Sequence, residues 1–230
     1  MSINAGWHKS HPMPPRATMD QRVDWHLGHS KACGCRAIPA TVLEELKRRR
    51  MMDDPLRQLK GGDRRSIGGV PKVVDRVKAD PGLFAVVFGG MTDPDPIVRM
   101  RCADAIEKIA AARPEYLGPY KNRVIQLAAT VEQQEVRWHL AQLVSRLKLS
   151  PRERRRVADI LAEYLTDASK IVKTFSMQAL ADIAAQDADL RGPIVERLES
   201  LTRTGSPAMK SRGRKLLARL KKLHDSPKQH

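Results

Sequence analysis

Four times the chain sets an apolar residue directly before a cation at the start of a helix-like segment: Val98-Arg99, Val136-Arg137, Val172-Lys173 and Met209-Lys210. Successive copies stand 38, 36 and 37 residues apart. A period of that length belongs to stacked helical hairpins. Each hairpin can bury its apolar stripe only against its neighbours, so several must stack. The first copy is the best marked. Asp93-Pro94-Asp95-Pro96 forms a turn, and Ile97 to Ile106 then follows with helical periodicity.

The segments around these copies agree. Helical stretches are expected at about 95–112, 114–129, 133–147, 151–166, 169–186, 188–202 and 206–222, with breaks at Arg113-Pro114, Ser150-Pro151, Asp187 and Gly205-Ser206-Pro207. Ser150-Pro151-Arg152-Glu153 carries a capping-box start with proline at the first helical position. Val70 to Lys78 and Pro81 to Met91 read as opening helices. Aromatics make up 4% of the chain and no segment alternates as a strand would, so an all-α fold packed through small and aliphatic residues is expected.

Ahead of the array, residues 1–17 lack periodicity and are expected as a flexible tail. Residues 18–60 form a small helical unit. Thr18 and Gln21 make a capping box there, Cys33-Gly34-Cys35-Arg36 is a tight link, and a second helix opens at Pro39 and closes on Arg48-Arg49-Arg50. The array is assigned to 61–222, after the turn-rich stretch 53–69, and 223–230 is a second flexible tail.

The unit DPDPIVRMRCADAIEKI resembles the HEAT-repeat signature, with EVRWHLAQLVSRL (135–147), IVKTFSMQALADIA (171–184) and PAMKSRGRKLLARL (207–220) as further copies. Over about residues 70–222 the chain is similar to this armadillo-type helical-solenoid family. The resemblance implies a right-handed α-α superhelix whose second helices line the inner face. It also implies a ladder in which a turn aspartate bonds the helix cation. Asp93 stands six before Arg99, and Asp167 six before Lys173. Val131 and Thr204 fill that offset before Arg137 and Lys210, which are therefore expected to be freer to bind.

The formal charge is +16, and the excess is uneven: 11 basic against 6 acidic residues over 1–60, 12 against 10 over 61–145, and 19 against 10 over 146–230. An acidic macromolecule, either nucleic acid or an acidic protein surface, is the partner this suggests. The candidate binding residues are Arg101, Arg137, Trp138, His139, Lys210, Arg212 and Arg214. Trp138-His139 could stack on a base or simply anchor packing. Leu201 to Lys215 pairs hydroxyls with cations at a helix start, which suits phosphate or a polar cap equally. Arg152, Arg154, Arg155 and Arg156 crowd another helix start, against the dipole.

His26, His29, Cys33 and Cys35 present H-x-x-H-x-x-x-C-x-C. The histidines share a helix face, and two imidazoles with two thiolates suit a structural zinc. Surface histidines beside a reduced turn, or a redox dithiol, explain the same residues. His8 and His11 are assigned to the tail, and Cys102 to the core. No phosphate loop, dinucleotide fingerprint, nucleophile elbow or H-E-x-x-H motif is present, so no catalytic residues are assigned.

A non-enzymatic binding module is the leading expectation. A protein-interaction scaffold is the alternative. A third reading is a DNA glycosylase of the HEAT-like alkylpurine type, whose tryptophan–aspartate motif has no match here. Neither a signal peptide nor a membrane span is expected, which makes a cytoplasmic location the default.

Overall fold

A computed structural model describes residues 3–33, 35–52 and 54–225. The chain divides into two compact units, Met1–Arg57 and Gln58–His230. Every regular element among the described residues is helical.

The first unit holds α1 (Ala5–Ser10), α2 (Met19–Ala32) and α3 (Ala40–Met52). The stretch expected as a tail thus begins with an ordered helix. Asn4 caps α1 by accepting the Trp7 N–H at 3.0 Å. Thr18 and Gln21 close the expected capping box on α2. At the end of α3, Arg48 and Arg49 pair with Glu45, and Arg49 also reaches Asp20. The apolar core is thin. Val23 and Val42 are the unit's buried aliphatic side chains among the described residues, apart from Pro55.

The second unit is a helical array. It comprises α4 (Val70–Ala79), α5 (Phe84–Gly89), α6 (Pro96–Ala112), α7 (Lys121–Thr130), α8 (Gln134–Val144), α9 (Pro151–Tyr164), α10 (Lys170–Gln186), α11 (Ala188–Thr204) and α12 (Pro207–Asp225). Short 3-10 turns at Pro81–Leu83 and Pro114–Tyr120 lead into α5 and α7. Helices α4, α6, α8, α10 and α12 pack side by side in chain order. α5 packs on α6, α7 on α8, α9 on α10, and α11 between α10 and α12. This two-layer stacking is an all-α, solenoid-like fold.

Sequence spacing explains the layers. In α6, Val98, Cys102, Ala105, Ile106 and Ile109 are buried at helical intervals, and α8 repeats this with Val136, Leu140, Leu143 and Val144. Alanines at 103, 105, 110, 179, 181 and 184 are buried too, which allows close approach of backbones on several sides of α6 and α10. On α12 the buried stripe is Met209, Gly213, Leu216 and Leu220. Gly213 sits where a Cβ would come within 2.0 Å of Thr202 Oγ1, so α11 and α12 require a glycine at that crossing. The α12 helix runs to Asp225, beyond the expected tail boundary, and residues 226–230 lie outside the described residues.

Candidate functional site

The starts of α6 and α8 carry a ladder, built differently from the one expected. Arg99 donates to the backbone carbonyls of Asp93 (2.8 Å) and Pro94 (3.0 Å) and, across the stack, to Gln133 Oε1 (2.8 Å). Arg137 likewise donates to the carbonyl of Val131 (2.7 Å) and across the stack to Asp167 Oδ2 (2.7 Å). The six-residue offset is used, but the acceptor is the main chain, so a valine serves as well as an aspartate. Asp93 and Asp167 instead cap their own turns, accepting from the N–H groups of Asp95 and Ser169. Arg154 repeats the scheme at the start of α9, donating to the Leu149 carbonyl and to Asp187. Arg154 is thus a stacking residue of the array.

Two candidate binding residues are therefore reassigned. Arg137 is tied down by Val131, Asp167 and the Tyr164 ring beneath its guanidinium at 5.3 Å. Lys173, expected to hold Asp167, is displaced from it by Arg137. Arg101 is 2% exposed and is held by the carbonyls of Leu59, Gly61, Asp63 and Ser66, all in the glycine-rich loop that precedes α4. Gly61, Gly62 and Gly68 take positive φ there, wrapping the loop around the guanidinium. A side chain sealed inside the fold offers nothing to an external phosphate.

His139 is buried between α8 and α6. Its Nε2 lies 3.9 Å from Asp104 Oδ1, and Lys108 pairs with that same carboxylate. Glu107 completes the cluster and pairs with Arg146 at 2.6 Å. Burial holds the His139 pKa down to about 4, against the opposing pull of Asp104 and Glu107 and with a smaller push from Lys108. It is a neutral packing residue near neutral pH. Because the folded pKa lies below the unfolded value of 6.5, its contribution is complete above that value and is lost as pH falls toward about 4. Stability is expected to drop by about 2 kcal/mol between pH 7 and pH 5 from this group. Denaturant melts across that range should show the slope, and His139→Gln should flatten it. Trp138 beside it is half-buried, with ring centroids 5.6 Å apart.

The remaining candidates gather on α12. Arg212 donates to Gln178 on α10 at 2.8 Å, and Arg219 pairs with Asp182 at 2.7 Å. Arg212, Gln178 and Arg219 line a shallow groove with Thr174, Ser211 and Lys215, about 570 Å³ in volume. Lys210 is half-buried, and Arg214, Lys215 and Lys221 are exposed. Among the described residues, none of these four is paired with a carboxylate. Lys210, Arg214 and Lys221 stand four and seven residues apart, along one face of the helix.

In the first unit, the structure exchanges one of the expected metal ligands. One donor atom each from His8, His29, Cys33 and Cys35 lies within 4.8 Å of all the others, and His26 is not in the set. His29 Nε2 is 3.2 Å from Cys35 Sγ, and His8 Nε2 is 3.5 Å from the same sulfur. His26 is buried two turns from the helix end, with Nδ1 unpartnered and its ring against Trp25 at 5.0 Å. The Asn4 backbone N–H donates to Cys33 Sγ at 3.2 Å and, with help from Cys35 and His8, holds that thiol down to about 6. Cys35 is pushed up, chiefly by its bond to Cys33 and then by burial. No residue arithmetic within α2 could have chosen His8. Asn4-Ala5-Gly6-Trp7, an N-cap leading into an aromatic, is the sequence signal that α1 forms.

The geometry defines a stacked all-α array preceded by a small helical unit. No protein family and no curated protein matches the sequence significantly. A crystal structure of an engineered protein, a Northeast Structural Genomics Consortium target, is similar over 94% of this chain and 96% of its own. Its TM-score is 0.52 at 14% identity, a likeness of fold alone.

Proposed function

We propose that the array is a non-enzymatic, HEAT-type binding module that engages a polyanion, nucleic acid first, through α12 and the adjoining α10 groove. The observation that carries this is the row of cations on α12 that no carboxylate among the described residues neutralises. Several cations elsewhere in the array are paired internally: Arg137 with Asp167, Arg146 with Glu107, Arg154 with Asp187 and Lys121 with Glu153. Lys210, Arg214, Lys215 and Lys221, without a carboxylate partner among the described residues, create a local positive field on one helix suited to phosphates. Gln178, Thr174 and Ser211 alongside supply neutral hydrogen-bonding groups.

Fluorescence polarisation with single-stranded DNA, duplex DNA and RNA across a salt series tests the proposal. Affinity should fall steeply with salt. The triple variant Lys210→Ala/Arg214→Ala/Lys215→Ala should bind about 100-fold more weakly and lose about 2–3 from the salt slope. Absence of binding to all three at low salt overturns it. A protein-interaction scaffold is the second reading, supported by Gln142, Phe175, Gln178 and Asp182, which together line the α8–α10–α12 cleft with amide and aromatic groups suited to a peptide. That reading expects a protein to be retained by the same surface while all three nucleic acids are not.

A further inference from the structure

The first unit poses a question that its apolar core does not answer. Helix α1 is six residues long and has no buried residue, yet it is placed against the C-terminal end of α2. A unit of this size with two buried valines needs an additional tie. We propose that His8, His29, Cys33 and Cys35 form a closed, tetrahedral site for one zinc ion that staples α1 to the end of α2. This site is independent of the polyanion reading, which concerns the other unit.

Donor chemistry and spacing both fit. Two thiolates and two imidazoles are a structural zinc set, and four protein ligands leave no open position for a substrate. Zinc bonds of about 2.0–2.3 Å in a tetrahedron put neighbouring donors roughly 3.3–3.8 Å apart. The observed His29–Cys35 and His8–Cys35 separations are 3.2 and 3.5 Å, and no donor pair of the four exceeds 4.8 Å. The donors also come from the right places in the chain. His29 is on the last turn of α2, Cys33 is its C-cap, Cys35 follows two residues on, and His8 arrives from α1.

The surroundings are arranged as a support for such a site. Asn4 does three things at once. Its backbone N–H donates to Cys33 Sγ (3.2 Å), its Nδ2 donates to the Ala32 carbonyl (3.1 Å), and its Oδ1 caps α1 (3.0 Å). An N–H directed at a ligating sulfur is a common outer-shell feature, which orients the thiolate and disperses its charge. Aromatic rings wall the imidazoles. Trp25 stacks on His29 at 4.9 Å with planes 8° apart, and Trp7 lies 5.5 Å from His8 and 5.4 Å from His29. Trp25 Nε1 donates to the His11 carbonyl at 2.6 Å, which anchors the end of α1 over the cluster. The rings pack against both histidines without themselves being ligands.

Cobalt(II) titration of the full, reduced, metal-free chain tests the site. Equimolar cobalt should give the intense visible bands of a tetrahedral ion with thiolate charge transfer in the near ultraviolet, and zinc should displace it. Cys35→Ser and His8→Ala should each weaken binding by more than about 100-fold, since loss of a ligand exceeds the usual outer-shell effect. His26→Ala should leave the spectrum unchanged. His8→Cys should keep the tetrahedral bands and raise the charge-transfer intensity by a third thiolate, a gain that misfolding cannot produce. The proposal is overturned by absence of tetrahedral bands, by loss of binding in His26→Ala with retention in His8→Ala, or by an unaltered charge-transfer intensity in His8→Cys. A Cys33–Cys35 disulfide in freshly isolated, metal-free protein would assign the pair to redox chemistry and equally overturn it.

Discussion

Arg101→Met is expected to lower the unfolding free energy of the array by about 4 kcal/mol, the scale for removing one partner of a buried charged network. The guanidinium supplies hydrogen bonds to four main-chain carbonyls, those of Leu59, Gly61, Asp63 and Ser66, at 2.6–3.2 Å. Methionine fills much of the volume but donates to none of them, so the carbonyls turned toward it lose their partners. No carboxylate among the described residues pairs with Arg101. The Asp63 side chain is occupied with the N–H groups of Arg65 and Ser66. Arg101→Lys should recover less than half the loss, because one ammonium cannot reach a planar ring of four acceptors as a guanidinium does. Gly68→Ala should reproduce part of the effect from the other side, since its Cβ would fall 2.7 Å from Arg101 Cζ at a φ of +53°. Urea unfolding followed by circular dichroism measures all three. A loss below about 1 kcal/mol for Arg101→Met would show that the loop is held by other contacts.

The second large effect is expected at Arg137. Arg137→Ala leaves Asp167, whose side chain is 8% exposed, without its cation, and removes the guanidinium from the Tyr164 face. A destabilisation of about 3 kcal/mol follows for a pair this well covered on its acidic side. Asp167→Ala should cost a similar amount and should also release the N–H of Ser169, which the carboxylate accepts at 2.7 Å. The double variant should fall short of the sum by about 1–2 kcal/mol, the signature of direct coupling. Polyanion affinity per folded molecule should be unchanged in all three, whereas the α12 triple variant should lose affinity and keep its stability. Equal loss of binding in Arg137→Ala would return that residue to the contact surface.

Much of the fold was legible in the residues. Apolar spacing marked the array helices, and the expected capping boxes form at Thr18 and Ser150. Cys102 is fully buried, as a small residue among alanines should be. Errors arose wherever a residue's role depended on a partner far along the chain. Arg137 has a valine rather than a carboxylate six residues earlier, while its acceptors are the carbonyl of that valine and an aspartate 30 residues later. Arg101 looked like one more rung of a basic ladder, and nothing local tells that a glycine loop 33–42 residues upstream closes over it. His26 shares a face with His29, but its ring packs against Trp25, and the histidine that joins the two cysteines, His8, comes from a segment without periodicity.

By itself, then, the sequence determined helix positions, their caps, the near-37-residue repeat and the excess of positive charge toward the C-terminal end. These follow from residues within a turn or two of one another, where backbone hydrogen bonding and side-chain spacing act. Only the tertiary structure decided which cations are structural and which remain available, and which histidine meets the two cysteines. Those outcomes depend on burial and on acceptors brought together across the stack, and a charge is free or committed only relative to such neighbours.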